Sequence, residues 1–435
     1  MKLKPYPEYN DSGVEWMGQI PLKWYVKKFK HELSLLDHKR IPLSGEVRAD
    51  MENKIYDYYG ASGVIDKVER YIFNGKYILL GEDGANLLLR STALAFIAEG
   101  KFWVNNHAHI IEPKDGNIDY FVNLLESIDY TPLIEGSAQP KLTADNLKNF
   151  ELIVPPVSEQ QLMASFLNKK TSEIDLTIEK DTSLIELLKE KRTALINHVV
   201  TKGLNPTVKM KDSGVEWIGE IPEDWAMIKI KHLAGNCSNP VQTGPFGAQL
   251  HAEDYVETGI PLILIRNVNN GQINIKNIPF VSEEDAIRLS MYRLNVGDIV
   301  FSRVGSLGRA ALVTKNEESW LISGQMLRLR LQDKRINAPY LVYVFQSDLS
   351  NEYVSLESVG STRESLNTEI LSNLPFPLPS IEKQDDLVEY LNNETSQIDL
   401  IIQKVENKIS YLEEYKKSLI HHVVTGKVDV REVAV

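Results

Sequence analysis

The sequence is poor in the residues and patterns that most enzymes need. Among its 435 residues there is one cysteine, Cys237, so an internal disulfide is excluded, and a reducing cytoplasm suits the chain. No run approaches the ~18 apolar residues of a membrane span, and the opening MKLKPYPEYN lacks the apolar core of a signal peptide. Phosphate-binding loops are missing too: GKYIL at Gly75 lacks the upstream glycine and the following hydroxyl, and GEDGANL, from Gly81 to Leu87, does not make GxGxxG. The second stretch reads as a turn between a strand and a helix. There is no HExxH and no GxSxG, and Cys237 has no basic neighbour closer than His232 to activate it. His107 and His109 lie two apart in a β-rich run, where they would share a face, and they read as polar lining rather than as a metal site. With 60 carboxylates, some acidic pair always falls at a plausible separation and none is informative. These absences describe a chain that catalyses nothing by itself and holds no cofactor or metal of its own.

Positive charge is also scarce, since the net charge is −12. A protein that coats polyanions by bulk attraction is therefore excluded, and any nucleic-acid contact requires local basic patches. The acidity is uneven. Residues 226–373 sum to −1 and hold nine of the fifteen arginines, whereas 25–151 and 374–435 carry −4 each.

What the chain does have is repetition. DSGVEWMGQIP, from Asp11 to Pro21, returns as DSGVEWIGEIP from Asp212 to Pro222, an offset of 201. The stretch from Pro155 to Gly203 resembles that from Leu378 to Lys427 at an offset of 224, with His198 matching His422 and Val199 matching Val423. Repeats of this length are duplicated domains rather than a solenoid. The chain divides into an opening segment 1–24, an insert 25–151, a helix 152–203, the returning segment 204–225, a second insert 226–373 and a second helix 374–435. The inserts are divergent but still distantly related: EGSAQPKLTADNL from Glu135 aligns with VGSTRESLNTEIL from Val359. A constant frame carrying two unlike inserts implies two related modules that discriminate two things.

Both inserts read as mixed structure with short strands: KYILLG, FWVNNHAHII, PLILIRNV, GDIVFSRVG, RAALV and QMLRLRL lie between Gly, Asn and Asp punctuation. In QMLRLRL the alternation puts Leu327, Leu329 and Leu331 on a core face, with Arg328 and Arg330 on the other. The frame helices carry heptads. Ile174, Asp181, Leu188 and Leu195 alternate with Ile178, Ile185, Arg192 and Val199; Ile398, Val405, Leu412 and Leu419 alternate with Ile402, Ile409, Lys416 and Val423. Such spacing predicts a coiled coil, with Arg192 and Lys416 either seated near the pairing axis or reaching out to water. Ile174 to Val199 makes a rod of roughly 39 Å at ~1.5 Å per residue, close to the ~34–36 Å turn of B-DNA.

Reading DNA bases needs planar double donors and acceptors: Arg for guanine, Asn or Gln for adenine. On the expected loops of the first insert the candidates are Tyr59, Ser62, Asn86, Asn106, His107, Ser137, Gln139 and Lys141. In the second they are Gln249, Arg266, Asn267, Arg303, Arg309, Gln325 and Arg363. The glycine-rich TGPFGAQL and RVGSLGRA permit close backbone approach to phosphate, or form plain turns.

Taken in order, DSGVEWMGQIPLKW and DSGVEWIGEIPEDW, VPPVSEQQ and PLPSIEKQ, INHVVTKG and IHHVVTGK, YILLGEDGANL, GSAQPKLT and TGPFGAQL resemble the specificity subunit of type I restriction-modification systems, over essentially the whole chain. The resemblance implies an α+β fold with pseudo-twofold internal duplication: two mixed α/β target-recognition domains, 25–151 and 226–373, separated by two long antiparallel coiled-coil helices. It implies a bipartite target in double-stranded DNA, one half read by each domain, with the helices acting as a ruler for the gap. It further implies docking of two methyltransferase subunits, joined by restriction/translocase subunits, with S-adenosylmethionine, ATP and Mg²⁺ held by those partners. Arg363 and Glu364 replace Gln139 and Pro140 in the aligned GS segments, so the two domains are expected to read different half-sites. The competing readings are an assembly scaffold without DNA reading, which the acidic charge favours, and an enzyme whose catalytic residues escape recognition.

Overall fold

The structure, a computed structural model, describes residues 3–135, 140–235, 237, 239–269, 271–303, 309–357 and 366–433. It divides into two compact units, Met1–Thr182 with Asn407–Val435, and Ser183–Glu406. Two long helices, Val157–Lys202 and Ile381–Val424, each contribute to both units. The fold is α+β, as the resemblance implied.

In the first unit the insert forms a six-stranded sheet in the order Leu33–Leu35, Ala108–Pro113, Phe73–Gly81, Ala95–Val104, Tyr56–Gly60, Gly63–Val68. All pairings are antiparallel except that of Tyr56–Gly60 with Ala95–Val104. A two-stranded ribbon, Tyr25–Lys28 against Glu151–Val154, closes the insert onto the frame. The second unit closes in the same way, Ala226–Lys229 against Pro375–Leu378, but its insert is built differently. It carries a four-stranded sheet, Val241–Thr243, Met326–Leu329, Ile299–Ser302, Ala310–Leu312, and a three-stranded one, Phe280–Val281, Ile260–Ile263, Leu321–Ile322.

The run FWVNNHAHII is not one strand. It breaks at Asn105–His107 into a turn joining Ala95–Val104 to Ala108–Pro113. His107 is therefore exposed on the turn and His109 fully buried on the strand, so the expected shared face does not form. The leucine face of QMLRLRL is core as expected, but its arginine face is covered as well. Arg328 is 3% exposed and donates to Asn239 O and Met291 O, while Arg330 makes a two-pronged pair with Asp298 at 2.7 and 2.6 Å. Burial pushes the Arg328 pKa below the usual guanidinium value, and neighbouring Arg330 adds to the shift.

The heptad residues occupy the less exposed side of the long helices. Ile174, Ile185, Ile398 and Leu419 are buried, and Ile178, Leu188, Leu195, Ile402, Ile409 and Leu412 are half-buried. Leucines off the seam, such as Leu187 and Leu400, are exposed. Within the first unit the helices run antiparallel: Asp175 meets Lys416 at 2.6 Å and Asp181 meets Lys408 at 2.8 Å. Within the second, Arg192 Nε donates to Asp399 at 3.0 Å. Both recurring cations are thus paired to carboxylates on the opposite helix.

Each insert is fastened to the frame by the same set of bonds. In the first unit the helix Ile118–Ser127 is capped by the Asn117 side chain, and the backbone N–H of Asn117 donates to Gln160 Oε1 at 2.9 Å. Gln160 Nε2 donates to Pro155 O, and the fully buried Tyr120 donates to Ile153 O and Val424 O. The second unit repeats this with Asn337, Gln384, Pro379 and Tyr340, whose hydroxyl reaches Pro377 O and Val200 O. Each long helix ends in a left-handed glycine lying against a tryptophan. At Gly203 (φ 76°) an added Cβ would stand 3.2 Å from the Trp225 ring, and at Gly426 (φ 73°) 2.5 Å from Pro21 and 3.0 Å from Trp24.

Gln160→Leu strips the Asn117 N–H and the Pro155 carbonyl of their buried partner. It should destabilise the chain by about 2–4 kcal/mol, read as a lower urea midpoint at unchanged slope; a loss under about 0.5 kcal/mol would mean that water replaces the amide.

Candidate nucleic-acid interface

In the first unit one end of the six-stranded sheet collects most of the residues expected to meet DNA. The turn at Asn105–His107 lies beside the Asp57–Gly60 strand end through Asn105 N–H to Tyr59 O at 3.0 Å, and beside the Gly81–Asp83 loop through Glu82 N–H to His107 O at 2.9 Å. Asp83 bridges to Lys141. Ser62, Asn106, His107 and Lys141 are exposed there. His107 Nδ1 lies 2.8 Å from Asp83 Oδ2, and Lys141 Nζ lies 3.2 Å from Glu82 Oε1. Two candidates are already engaged. Asn86 uses its amide on Thr92 O, Thr92 N–H and the Ser91 hydroxyl, and Tyr59 is half-buried against Phe96 and Phe102. Burial, with Asp57 nearby, pushes the Tyr59 hydroxyl pKa up. Ser137 and Gln139 lie outside the described residues.

Beneath this surface sits a charge network that sequence reasoning missed. Arg40 donates to Glu82 Oε2 at 2.5 Å, to Ala108 O at 2.9 Å and to Asn106 O at 3.4 Å. It thereby holds the turn that carries Asn106 and His107. His109 spans Asp37 Oδ2 at 2.6 Å and Leu142 O at 2.9 Å, so the carbonyl fixes Nε2 as a donor. Burial alone would raise both acids, but hydrogen bonds from His109 and the Ile110 N–H hold Asp37 below the usual carboxylate value, and Arg40 and His109 do the same for Glu82. Asp37, Glu82 and His109 form the one trio with metal-ligand spacing among the described residues. The Arg40 guanidinium already supplies the positive charge such a trio would seek. Nothing in the local sequence LDHKRIP singles out Arg40; only the return of the sheet beside it does.

The second unit carries an open cleft of about 560 Å³, lined among others by Phe246, Tyr255, Arg266, Ser323 and Gln325. Arg266, Gln325 and the side chain of Phe246, 60% exposed, stand at its walls. Arg266 is braced by one bond to Asn277 O at 2.9 Å, which leaves most of its donors free for a ligand. The TGPFGAQL glycine serves a different purpose from phosphate approach: a Cβ at Gly244 would lie 2.2 Å from Ser323 O, and one at Gly324 2.4 Å from Pro245 O, so two loops cross here without room for side chains. Gln249 accepts from the Tyr292 hydroxyl at 2.9 Å. Arg303 is half-buried and donates to Gly324 O at 3.3 Å, bracing the cleft floor, while Arg309 is exposed. Asn267 departs from expectation. It is 1% exposed, and its amide is spent on Leu264 N–H, Asn274 O and Lys276 O, which makes it a loop brace rather than a surface reader. Arg363 lies outside the described residues.

With this geometry in view, comparison with known proteins is specific. The family described as Type I restriction modification DNA specificity domain matches twice, at residues 23–187 and 222–411, and the chain belongs to it. The type I restriction enzyme MjaVIII specificity subunit of Methanocaldococcus jannaschii is 24% identical over 442 residues, covering 98% of each chain. The EcoBI specificity subunit of Escherichia coli is 24% identical over 66% of this chain and 60% of its own. In fold, the chain matches one solved under the description "Structural basis underlying complex assembly and conformational transition of the type I R-M system", with TM-score 0.65 and 13% identity, covering 94% of this chain and 99% of that one. Among the described residues no helix is long and apolar enough to cross a membrane.

Because the folded Glu82 carboxyl sits below its unfolded value of about 4.3, the stability it contributes is present above that pH and is lost as pH falls toward the folded value. Glu82→Gln should therefore be less stable than the parent at pH 7 and show a shallower fall between about pH 5 and 3 in urea melts; parallel pH profiles would contradict the assignment.

Proposed function

We propose that the chain reads DNA for a type I restriction-modification complex, each insert recognising one half of a bipartite target in the duplex. The observation that carries this reading is the pairing of a constant frame with two inserts of unlike sheet construction, fastened by the same Asn, Gln and Tyr bonds. A frame kept twice positions, and inserts built differently discriminate. Residues 25–151 would present the sheet end bearing Asn106, His107 and Lys141, and residues 226–373 the cleft bearing Arg266, Gln325 and Phe246. Arg and Gln offer the planar double hydrogen bonds that major-groove edges require, and an exposed aromatic offers a stacking face.

The long helices would set the gap between half-sites and, with the repeated phrases, dock two methyltransferase subunits and through them the restriction/translocase subunits. Methyl transfer, ATP hydrolysis and cleavage would belong to those partners, with S-adenosylmethionine, ATP and Mg²⁺ bound there, in the cytoplasm. The net charge of −12 favours a second reading, an assembly scaffold that does not read DNA. Salt dependence separates the two: several phosphate contacts require the affinity of the methyltransferase complex for DNA to fall steeply with salt, whereas a scaffold would give no salt-dependent binding of its own.

Exchange of residues 226–373 for the corresponding domain of another specificity subunit should change one half of the recognised sequence and leave the other intact; a change in both halves would refute modular reading. Insertion of a few residues near Asp181 to Ser183 should lengthen the gap without altering either half, and an unchanged gap would refute the ruler.

A further inference from the structure

The duplicated frame is not equally filled in its two copies. In the first unit Tyr6 is 5% exposed, packs edge-on against Trp24 with ring centres 5.5 Å apart, and donates its hydroxyl to Glu159 Oε2 at 3.1 Å. The same carboxylate oxygen accepts from the Trp24 indole N–H at 2.9 Å. One tyrosine, delivered on an extended segment, thus closes the angle between the repeated phrase and the start of the long helix. The second unit has the matching walls. Trp225 stands for Trp24 at the 201-residue offset; Lys383, Leu387 and Asn205 stand for Glu159, Met163 and Asp429 at the 224-residue offset. Asn205 even repeats the turn of Asp429, its Oδ1 accepting the N–H of Thr207 as Asp429 accepts that of Arg431. No tyrosine is present, however: at the phrase's offset Thr207 takes the place of Tyr6, and it is exposed.

What remains is a pocket of about 180 Å³, walled by Gly203, Leu204, Val208, Trp225, Lys383 and Asp386 among others. Apolar cavities of about 150 Å³ admit benzene, so the space suffices for one aromatic ring. Its polar groups are also unmatched. Trp225 is 3% exposed, yet its indole N–H has no hydrogen-bond partner among the described residues, because the acceptor of the first unit has become Lys383, which is paired with Asp224. Asp386, at the wall, has no ion-pair partner among them either. Asp386 is exposed, and the Trp225 N–H and the Asp386 carboxylate are both open to a ligand that offers an acceptor and a donor.

We propose that this pocket is a seat for a tyrosyl side chain supplied by a partner protein, the second-copy equivalent of the seat that Tyr6 fills in the first. A phenol is complementary at each point: its ring fills the apolar space, its oxygen accepts from Trp225 Nε1, and its O–H donates to the Asp386 carboxylate. Because the pocket is built from the frame and not from an insert, the tyrosine belongs to a methyltransferase subunit; this step rests on the docking proposed above.

The test has two arms. N-acetyl-L-tyrosinamide is titrated into the full chain by saturation-transfer NMR. It should bind, should be lost in Val208→Trp, which plugs the space, and should weaken about tenfold in Asp386→Ala, the worth of one hydrogen bond to a charged group. Tyr6→Ala should open a second seat and add a second equivalent of bound probe. Absence of binding, or binding indifferent to both pocket variants, overturns the proposal. In the second arm a photo-crosslinking benzoylphenylalanine is placed at Leu204, an exposed residue on the pocket wall, and the complex with the methyltransferase subunit is isolated by gel filtration before irradiation. A cross-link to a tyrosine-bearing methyltransferase peptide supports the seat. A complex that forms but gives no cross-link at 204 overturns it while leaving docking intact, and failure to form a complex counts against the docking itself and the partner assigned here.

Discussion

The structure depends on a buried primary amide used twice. Gln160 and Gln384 are almost wholly inaccessible, 1% and 0% exposed, and a buried amide is costly unless its donors and its oxygen all find partners. The amide's partners lie on different pieces of chain, the cap of the insert's helix and the proline turn that opens the long helix, and a buried tyrosine of the capped helix holds the ribbon carbonyl beside them. Satisfying the amide therefore fixes where an insert begins and ends relative to its helix. It does not constrain the body of the insert. That separation lets a six-stranded sheet and a pair of smaller sheets stand on identical mounts.

The same separation explains where charge is found. The frame spends its ions on itself, as the Lys408–Asp181, Lys416–Asp175 and Arg192–Asp399 pairs between the long helices illustrate. The inserts spend theirs on holding loops. Arg40 fastens the Asn105–His107 turn, and Arg303 and Arg328 donate to loop carbonyls. An overall acidic chain can present a reading surface this way, because the groups that would face DNA are few and mounted, rather than many and diffuse.

The frame was legible in the sequence because its signals are local and periodic. The returning phrase, the heptads and the offset of 224 residues each mark an element without reference to anything distant, and the long helices run through the stretches so marked. The inserts were legible only as strand-rich. Their sheet orders depend on pairings across the chain, such as Asp57–Tyr59 with Phe102–Val104, that no local pattern encodes. The candidate site divides along the same line. Asn106, Lys141, Arg266 and Gln325 emerged on exposed surface, as polar residues in turns commonly do. Asn267 has the same composition and spacing, yet its amide was claimed by two backbone carbonyls, and Arg40 and Glu82 carry their role only because the fold returns to them. The empty seat beside Trp225 needed both levels, since the repeat defines what should be there and the packing reveals that it is not.

The central claim is that one chain reads two half-sites. The most direct measurement is a methylation map, by long-read sequencing, of a methylation-free host expressing this chain with its cognate methyltransferase subunit. The account predicts a gapped two-part motif, modified once on each strand. An unmodified genome with both proteins present and soluble, or a single continuous motif, would contradict it.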